Sequence, residues 1–177
     1  ILSEIGSAMI WIAVLLALLL NSDRLFSNDF ENGVLEQYLL FSRPLTWLVC
    51  IKLLSHWLLQ IVPLILITPI AAIMLSVEWK VIQALVLTLL VATPALTCFS
   101  GLGAALTLGA SRSAMLGILV MMPLFVPVII LASGIIVRAT DGTEVLPLYA
   151  LLAAFSVASA VLVPFAVAAA LRMNIGG

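Results

Sequence analysis

Few residues in this chain have reactive side chains, and three of them are evenly spaced. Lys52, His56 and Gln60 stand at i, i+4 and i+8, with Ser55 beside them. On a helix that spacing makes one polar stripe. A cation, an imidazole and an amide on one face could hold an anion, relay a proton or line a wet path. Ionisable groups inside apolar sequence usually face a bundle interior or a water-filled cavity. The plainer reading has Lys52 stretching its ammonium to lipid headgroups and His56 hydrogen-bonding a neighbour. For Lys52 the plainer reading is preferred; for His56 both stay open.

The rest of the inventory excludes more than it offers. There is one histidine and there are two cysteines, so no protein metal cage can be assembled, and no metal ligands are assigned. Cys50 and Cys98 both lie in apolar sequence and read as buried thiols. Met115, Met121 and Met122 read as helix packing, not as ligands. Gly101-Leu102-Gly103 lacks the third glycine and the preceding strand of a dinucleotide loop. The phosphate-binding pattern G-x-x-x-x-G-K-[ST] is absent, so this chain does not bind ATP in that way. No catalytic set is assigned, because His56 has no evident carboxylate partner in the sequence. No Asp or Glu stands centrally in an apolar segment, which disfavours transport coupled to protons through intramembrane acids. If the protein does work, a partner supplies the energy.

The elements that must carry these residues are membrane helices. The chain is 65% hydrophobic and 8% charged, with a mean hydropathy of +1.36. A soluble domain carries about 25% charge. Helices are the natural spanning elements, because they satisfy their own backbone groups. A net charge of −1 leaves no basic footprint for nucleic acid. Segment one is 5–20, with Trp11 placed for a helix–helix contact. Segment two is 45–75, too long for one straight crossing, and Pro63 and Pro69 should kink or break it. Segment three runs from Val81 to about Gly109 with Pro94 in its middle. Its run of small residues (Gly101, Gly103, Ala104, Ala105) lets helices approach closely. Segment four is 114–137, interrupted by Pro123 and Pro127. Segment five is 145–171. Turns are expected at 76–80, 110–113 and 138–144, the last with Asp141-Gly142 at its tip.

One polar stretch interrupts this pattern. Asn21–Pro44 holds six of the fifteen charged residues. Asn28 suits an N-cap, with Glu31 three residues on as in a capping box. Phe30, Val34, Tyr38 and Phe41 make one apolar stripe, so the stretch predicts an amphipathic surface helix over about 29–41. Gly33 is costly inside such a helix, about 1 kcal/mol against Ala, and points to a close approach or a bend. Lys and Arg are five to two in favour of the side bearing this stretch, which places it and the C-terminus in the cytoplasm and Ile1 outside. An outside N-terminus with five spans implies a missing N-terminal span, six in all.

The order of these features resembles one family. Leu20–Leu39 carries L-x-x-x-R-L-F-x-x-D-x-x-x-G-x-L-E-x-x-L through Arg24, Leu25, Phe26, Asp29, Gly33, Leu35 and Glu36. It is followed by Lys52…His56-Trp57, Pro63-Leu64, Thr93-Pro94, Pro123…Pro127 and Pro164-Phe165-Ala166. This sequence is similar to the cytochrome c maturation B (CcmB) family, the permease subunit of an ABC-type haem exporter. The resemblance implies an all-α, polytopic helical bundle of ABC-exporter type, five spans visible of six, with a cytoplasmic coupling helix. It treats 1–177 as one permease domain and 21–44 as its cytoplasmic loop.

It further implies a bacterial inner-membrane complex with two copies of this chain, an ATPase partner CcmA, the subunits CcmC and CcmD, and indirectly the haem chaperone CcmE. ATP would sit on the partner, and haem would be the cargo. No cofactor is assigned to this chain itself. Hydrolysis by the partner would be linked to release of the haem-loaded chaperone. Asp29, Phe30, Glu31, Gly33, Val34, Leu35, Glu36 and Tyr38 would then face the ATPase. Pro63, Pro94, Gly101, Pro123 and Pro127 would shape helix packing and kinks. Two alternatives stand beside this reading. One is a non-conducting scaffold that docks the ATPase and haem-handling subunits. The other is an ABC permease for another hydrophobic cargo.

Overall fold

The computed structural model describes residues 2–22, 24–34, 37, 44–108 and 113–175. Among them the protein is helical throughout: α1 (Leu2–Ser22), α2 (Arg24–Glu31), α3 (Leu45–His56), a π-helical turn (Trp57–Ile61), α4 (Val62–Met74), α5 (Trp79–Leu106), α6 (Ser113–Thr140) and α7 (Leu146–Ile175). Five helical stretches are long and apolar enough to cross a membrane, at Gly6–Glu31, Leu45–Met74, Trp79–Leu106, Met121–Thr140 and Leu146–Asn174.

The bundle is built around α5. Its span is 61% buried, against 22–43% for the others. Helix α5 packs on α6 and α7 along its length and also meets α1, α2, α3 and α4. Residues Ala95 to Gly101 are buried without interruption. A helix covered on all sides needs small residues where its neighbours cross. A Cβ on Gly101 would lie 2.5 Å from Leu53 Cδ2, and one on Gly103 would lie 2.3 Å from Met121 Cε. The small run read from the sequence therefore does what such runs do in membranes, bringing α3 and α6 onto opposite sides of α5.

Several hydroxyls inside the bundle are satisfied locally, whereas Ser100 Oγ is buried with no partner among the described residues. Thr68, Thr88, Thr97 and Ser159 donate back to the carbonyl four residues earlier, at 2.6–3.0 Å. Side chains also tie helices together, among them Asn174, whose Nδ2 donates to the Ala105 carbonyl at 2.9 Å. Trp57 Nε1 donates to Thr93 Oγ1 at 3.0 Å, and Tyr149 Oη donates to the Ala84 carbonyl at 2.9 Å. Tyr149→Phe removes one interhelical bond and leaves the ring in place. A loss of about 1 kcal/mol is expected, read as a fall in the thermal midpoint of the detergent-purified protein.

The long second segment is not broken. The chain stays helical from Leu45 to Met74. Proline lacks an N–H and its ring clashes with the carbonyl four residues back. The π turn immediately before Pro63 answers this. Val62 N–H bonds to Trp57 O, one residue further back than in an α-helix, and the widened turn absorbs the misfit. Pro69, Pro94, Pro123, Pro127 and Pro164 all lie inside helices. The turn Asp141-Gly142 forms as the sequence predicts, with Gly142 at φ 70°.

The polar stretch folds differently from its prediction. Asn28 is not an N-cap and no helix starts there. It lies within α2, which ends at Glu31. Asn32 donates from its backbone N–H (3.2 Å) and its side chain (2.7 Å) to the Asn28 carbonyl. Gly33 N–H bonds to Phe30 O, and Gly33 takes φ 68°. Gly33 therefore ends a helix, in the left-handed conformation that glycine reaches without strain. Nothing lies within 4 Å of a Cβ built there, so the glycine serves the bend and not a close approach. Leu35, Glu36, Tyr38 and Phe41 lie outside the described residues.

Candidate functional site

The register of the first two spans places the site relative to the bilayer. At one end, Gly6 packs against Leu75 and Val77. At the other, the Lys52 ammonium makes an ion pair with the Asp29 carboxylate. Asp29 lies twenty-three residues from Gly6, and Lys52 the same number from Leu75. At 1.5 Å per residue the second arm, helical from Lys52 to Met74, rises about 35 Å. The hydrocarbon core of a bilayer is about 30 Å thick. With the Ser76–Lys80 turn at one interface, the Asp29–Lys52 pair lies at headgroup level on the other.

Lys52 is therefore not a lone cation reaching for headgroups. Its ammonium is held by Asp29 and lies 5.3 Å from the Phe26 ring centroid. Asp29 sits in the last turn of α2, where the helix dipole is unfavourable to a carboxylate. The lysine compensates for that placement. Phe26 is 1% exposed, so its ring forms a fixed floor beneath the charge pair.

The polar stripe opens onto a cleft of about 310 Å³ between α2 and α3. Lys52, His56 and Gln60 line it together with Asn28, Asp29 and Ser55. The structure thus gathers the whole stripe in one place and adds residues from α2. His56 Nε2 is buried and has no hydrogen-bond partner among the described residues. Leu25 and Leu59 complete the walls.

Of the other residues expected to face a partner, Phe30 and Glu31 are exposed at the end of α2, and Gly33 and Val34 follow at the turn. Phe26 and Phe30 take opposite fates on one short helix, one in the core and one at the surface. The sequence reading missed the link between Asp29 and Lys52. Its signal was the equal count of residues from the far turn, which becomes usable only once Gly6 and Leu75 are known to touch. It also missed Trp57, whose position before Pro63 puts it at the π turn.

A second cavity, also about 310 Å³, lies between α3, α5 and α7, lined by Cys50, Leu53, Trp57, Thr97, Cys98 and Pro164 among others. The two cysteines share this space as free thiols. Thr97 donates its hydroxyl to the Thr93 carbonyl, and the Thr93 hydroxyl accepts from Trp57 Nε1. Among the described residues no group of three His, Cys, Asp or Glu side chains is placed to hold a metal ion.

Comparison with known proteins covers almost the whole chain. The profile of the family described as CcmB protein matches residues 1–174. Heme exporter protein B of Haemophilus influenzae is 44% identical over 175 residues, covering 99% of this chain and 79% of that protein. Heme exporter protein B of Pseudomonas aeruginosa is 39% identical over 176 residues, covering 99% and 79%. The protein of the same name from Escherichia coli K12 is 37% identical over 175 residues, covering 99% and 80%.

Proposed function

The chain belongs to the CcmB protein family, and from that membership we propose that it is the membrane permease subunit of a haem exporter. Energy comes from a separate ATPase subunit, CcmA in the family, which docks on the α2 end of the bundle. In this reading the polar stretch and the C-terminus are cytoplasmic and the membrane is the bacterial inner membrane. Two copies of the chain work with CcmC and CcmD, and hydrolysis is coupled to release of haem-loaded CcmE.

The observation that carries this reading is the α2 tip. Phe30 and Glu31 are exposed there beyond the hydrocarbon level, while Asp29, one residue away, is bound to Lys52 of the second span. A push on the exposed face is thus transmitted through an ion pair into a membrane helix. Packed elements pass on such motions as rigid bodies. The internally bonded hydroxyls of Thr93 and Thr97 favour mechanical coupling over a broad aqueous path through one chain. The scaffold reading shares this docking surface and differs in leaving haem movement to other subunits.

The test is co-purification of the ATPase with wild type, Phe30→Ala and Glu31→Lys, with ATP hydrolysis measured in each. A loss of tenfold or more in bound ATPase is expected for the variants, about 1.4 kcal/mol or greater, with membrane insertion unchanged. ATPase binding and hydrolysis equal to wild type in both variants would remove the docking surface and the coupling with it.

A further inference from the structure

We propose that the cleft between α2 and α3 is a binding site for one zwitterionic phospholipid carrying a primary ammonium, of the phosphatidylethanolamine type. The inference is independent of the transport reading.

The position comes first. The register of the two spans puts the cleft at headgroup level, and Gln60 at its deep end is two turns further into the bilayer than Lys52. The span that forms its outer wall, Leu45–Met74, is the least covered of the five within this chain, which leaves the cleft open at its side. Leu59 lines the cleft and is 76% exposed, and Leu66 and Ile70 are exposed further along the same helical run. An acyl chain leaving the cleft would follow these side chains towards the membrane centre.

The chemistry comes second. The cleft presents a carboxylate and an ammonium side by side, Asp29 and Lys52, each partly accessible. A headgroup that carries both a phosphate and an ammonium can match both. A lysine ammonium has three donors and a carboxylate several lone-pair sites, so the internal pair leaves capacity on each. The imidazole Nε2 of His56 has no partner among the described residues, and a buried polar atom of this kind calls for one. Ser55 and Asn28 supply neutral donors around the phosphate, and Gln60, two turns deeper, lies at the level of the glycerol esters. A primary ammonium donates hydrogen bonds to Asp29; the quaternary ammonium of phosphatidylcholine has no N–H to donate. A purely anionic headgroup offers the Asp29 carboxylate no ammonium partner. The site should therefore rank ethanolamine over choline and glycerol headgroups.

The test uses the full-length protein in nanodiscs containing equal parts phosphatidylethanolamine, phosphatidylcholine and phosphatidylglycerol, with retained lipid read by native mass spectrometry. Wild type is expected to keep the ethanolamine lipid in at least fivefold excess over either of the others. Asp29→Asn removes the acceptor that tells the headgroups apart and should bring the three lipids to parity. Ser55→Ala leaves the ion pair intact, removes a donor to the phosphate that all three lipids share, and should cut the total lipid retained at least twofold with the ethanolamine excess kept. Helical content by circular dichroism should equal wild type in both. Parity among lipids in wild type overturns the proposal, as does an excess unchanged in Asp29→Asn. Soluble phosphoethanolamine separates the sources. If it binds wild type with the same dependence on Asp29 and Ser55 while lipid retention is unselective, the ligand is a free phosphate-ammonium compound and the lipid assignment fails.

Discussion

Gly103→Leu is expected to be among the most damaging single substitutions in the bundle. A Cβ at this position would sit 2.3 Å from Met121 Cε and 2.6 Å from Met121 Cγ, and Met121 is completely buried. Rotating the end of the methionine relieves one contact but not the other. Gly101→Leu should behave alike, since its Cβ would meet Leu53 Cδ2 at 2.5 Å. Residues two apart on a helix point about 200° from each other, so the pair separates α5 from α3 on one side and from α6 on the other. Overpacking a filled core costs typically 1–3 kcal/mol, and a fall of roughly 5–10 °C in thermal midpoint is expected for each. Helix propensity alone predicts the opposite sign, because glycine is about 1 kcal/mol worse than alanine in a helix. Gly134→Ala supplies the control. Its Cβ would meet only Leu148 Cδ1 at 3.5 Å, ordinary contact, so that variant should match or exceed wild type. If Gly103→Leu melts with Gly134→Ala, the close approach of α5 and α6 is wrong.

Reversing the headgroup-level charge pair is expected to have the second largest effect. Lys52→Glu would set two carboxylates together over the Phe26 ring, which favours a cation and not an anion. The Lys52 and Asp29 side chains are 28% and 23% exposed, so the pair lies between the surface and buried regimes. Exposed pairs contribute about 0–1 kcal/mol, and breaking a buried one costs about 3–5 kcal/mol. Each single reversal, Lys52→Glu or Asp29→Lys, should therefore destabilise by roughly 2 kcal/mol. The double reversal should recover at least about 1 kcal/mol of it, the coupling expected of residues in direct contact. A double variant that is simply the sum of the two singles would show that Asp29 and Lys52 act independently, and the link between α2 and the second span would be lost. The same three proteins, assayed for ATPase coupling, would show whether that link also transmits work.

Pattern reading succeeded where local physics decides. The apolar runs, too long and too poor in charge for a soluble core, marked all five spans. Gly101 to Ala105 marked the crossing point of the hub helix, because close helix approach needs small residues whichever neighbours arrive. Asp141-Gly142 marked its own turn, since the left-handed position favours glycine. Where two local signals competed, the reading went astray. At Asn28 a capping box competed with a helix already running from Arg24. The helix continued, because an N-cap forms only where the preceding residues are not helical. At Gly33 the apolar stripe to Phe41 argued for a helix interior, and the glycine instead closed α2. At Pro63 the expected interruption became a π turn, which keeps backbone groups bonded in a setting with no water to satisfy them.

Composition, 3.6-residue periodicity and the order of motifs along the chain suffice for a helical membrane protein, the course of its spans, its polar helix end and its family. The pairing of Asp29 with Lys52, the burial of Phe26 under the charges while Phe30 faces out, and the gathering of six polar residues in one cleft come from contacts between helices. A stripe on one helix fixes which residues share a face. It carries no record of the depth at which a second helix passes, because spacing along one helix is the same whatever the register of its neighbour. That depth is set by packing at the far end, where Gly6 closes on Leu75 and Val77.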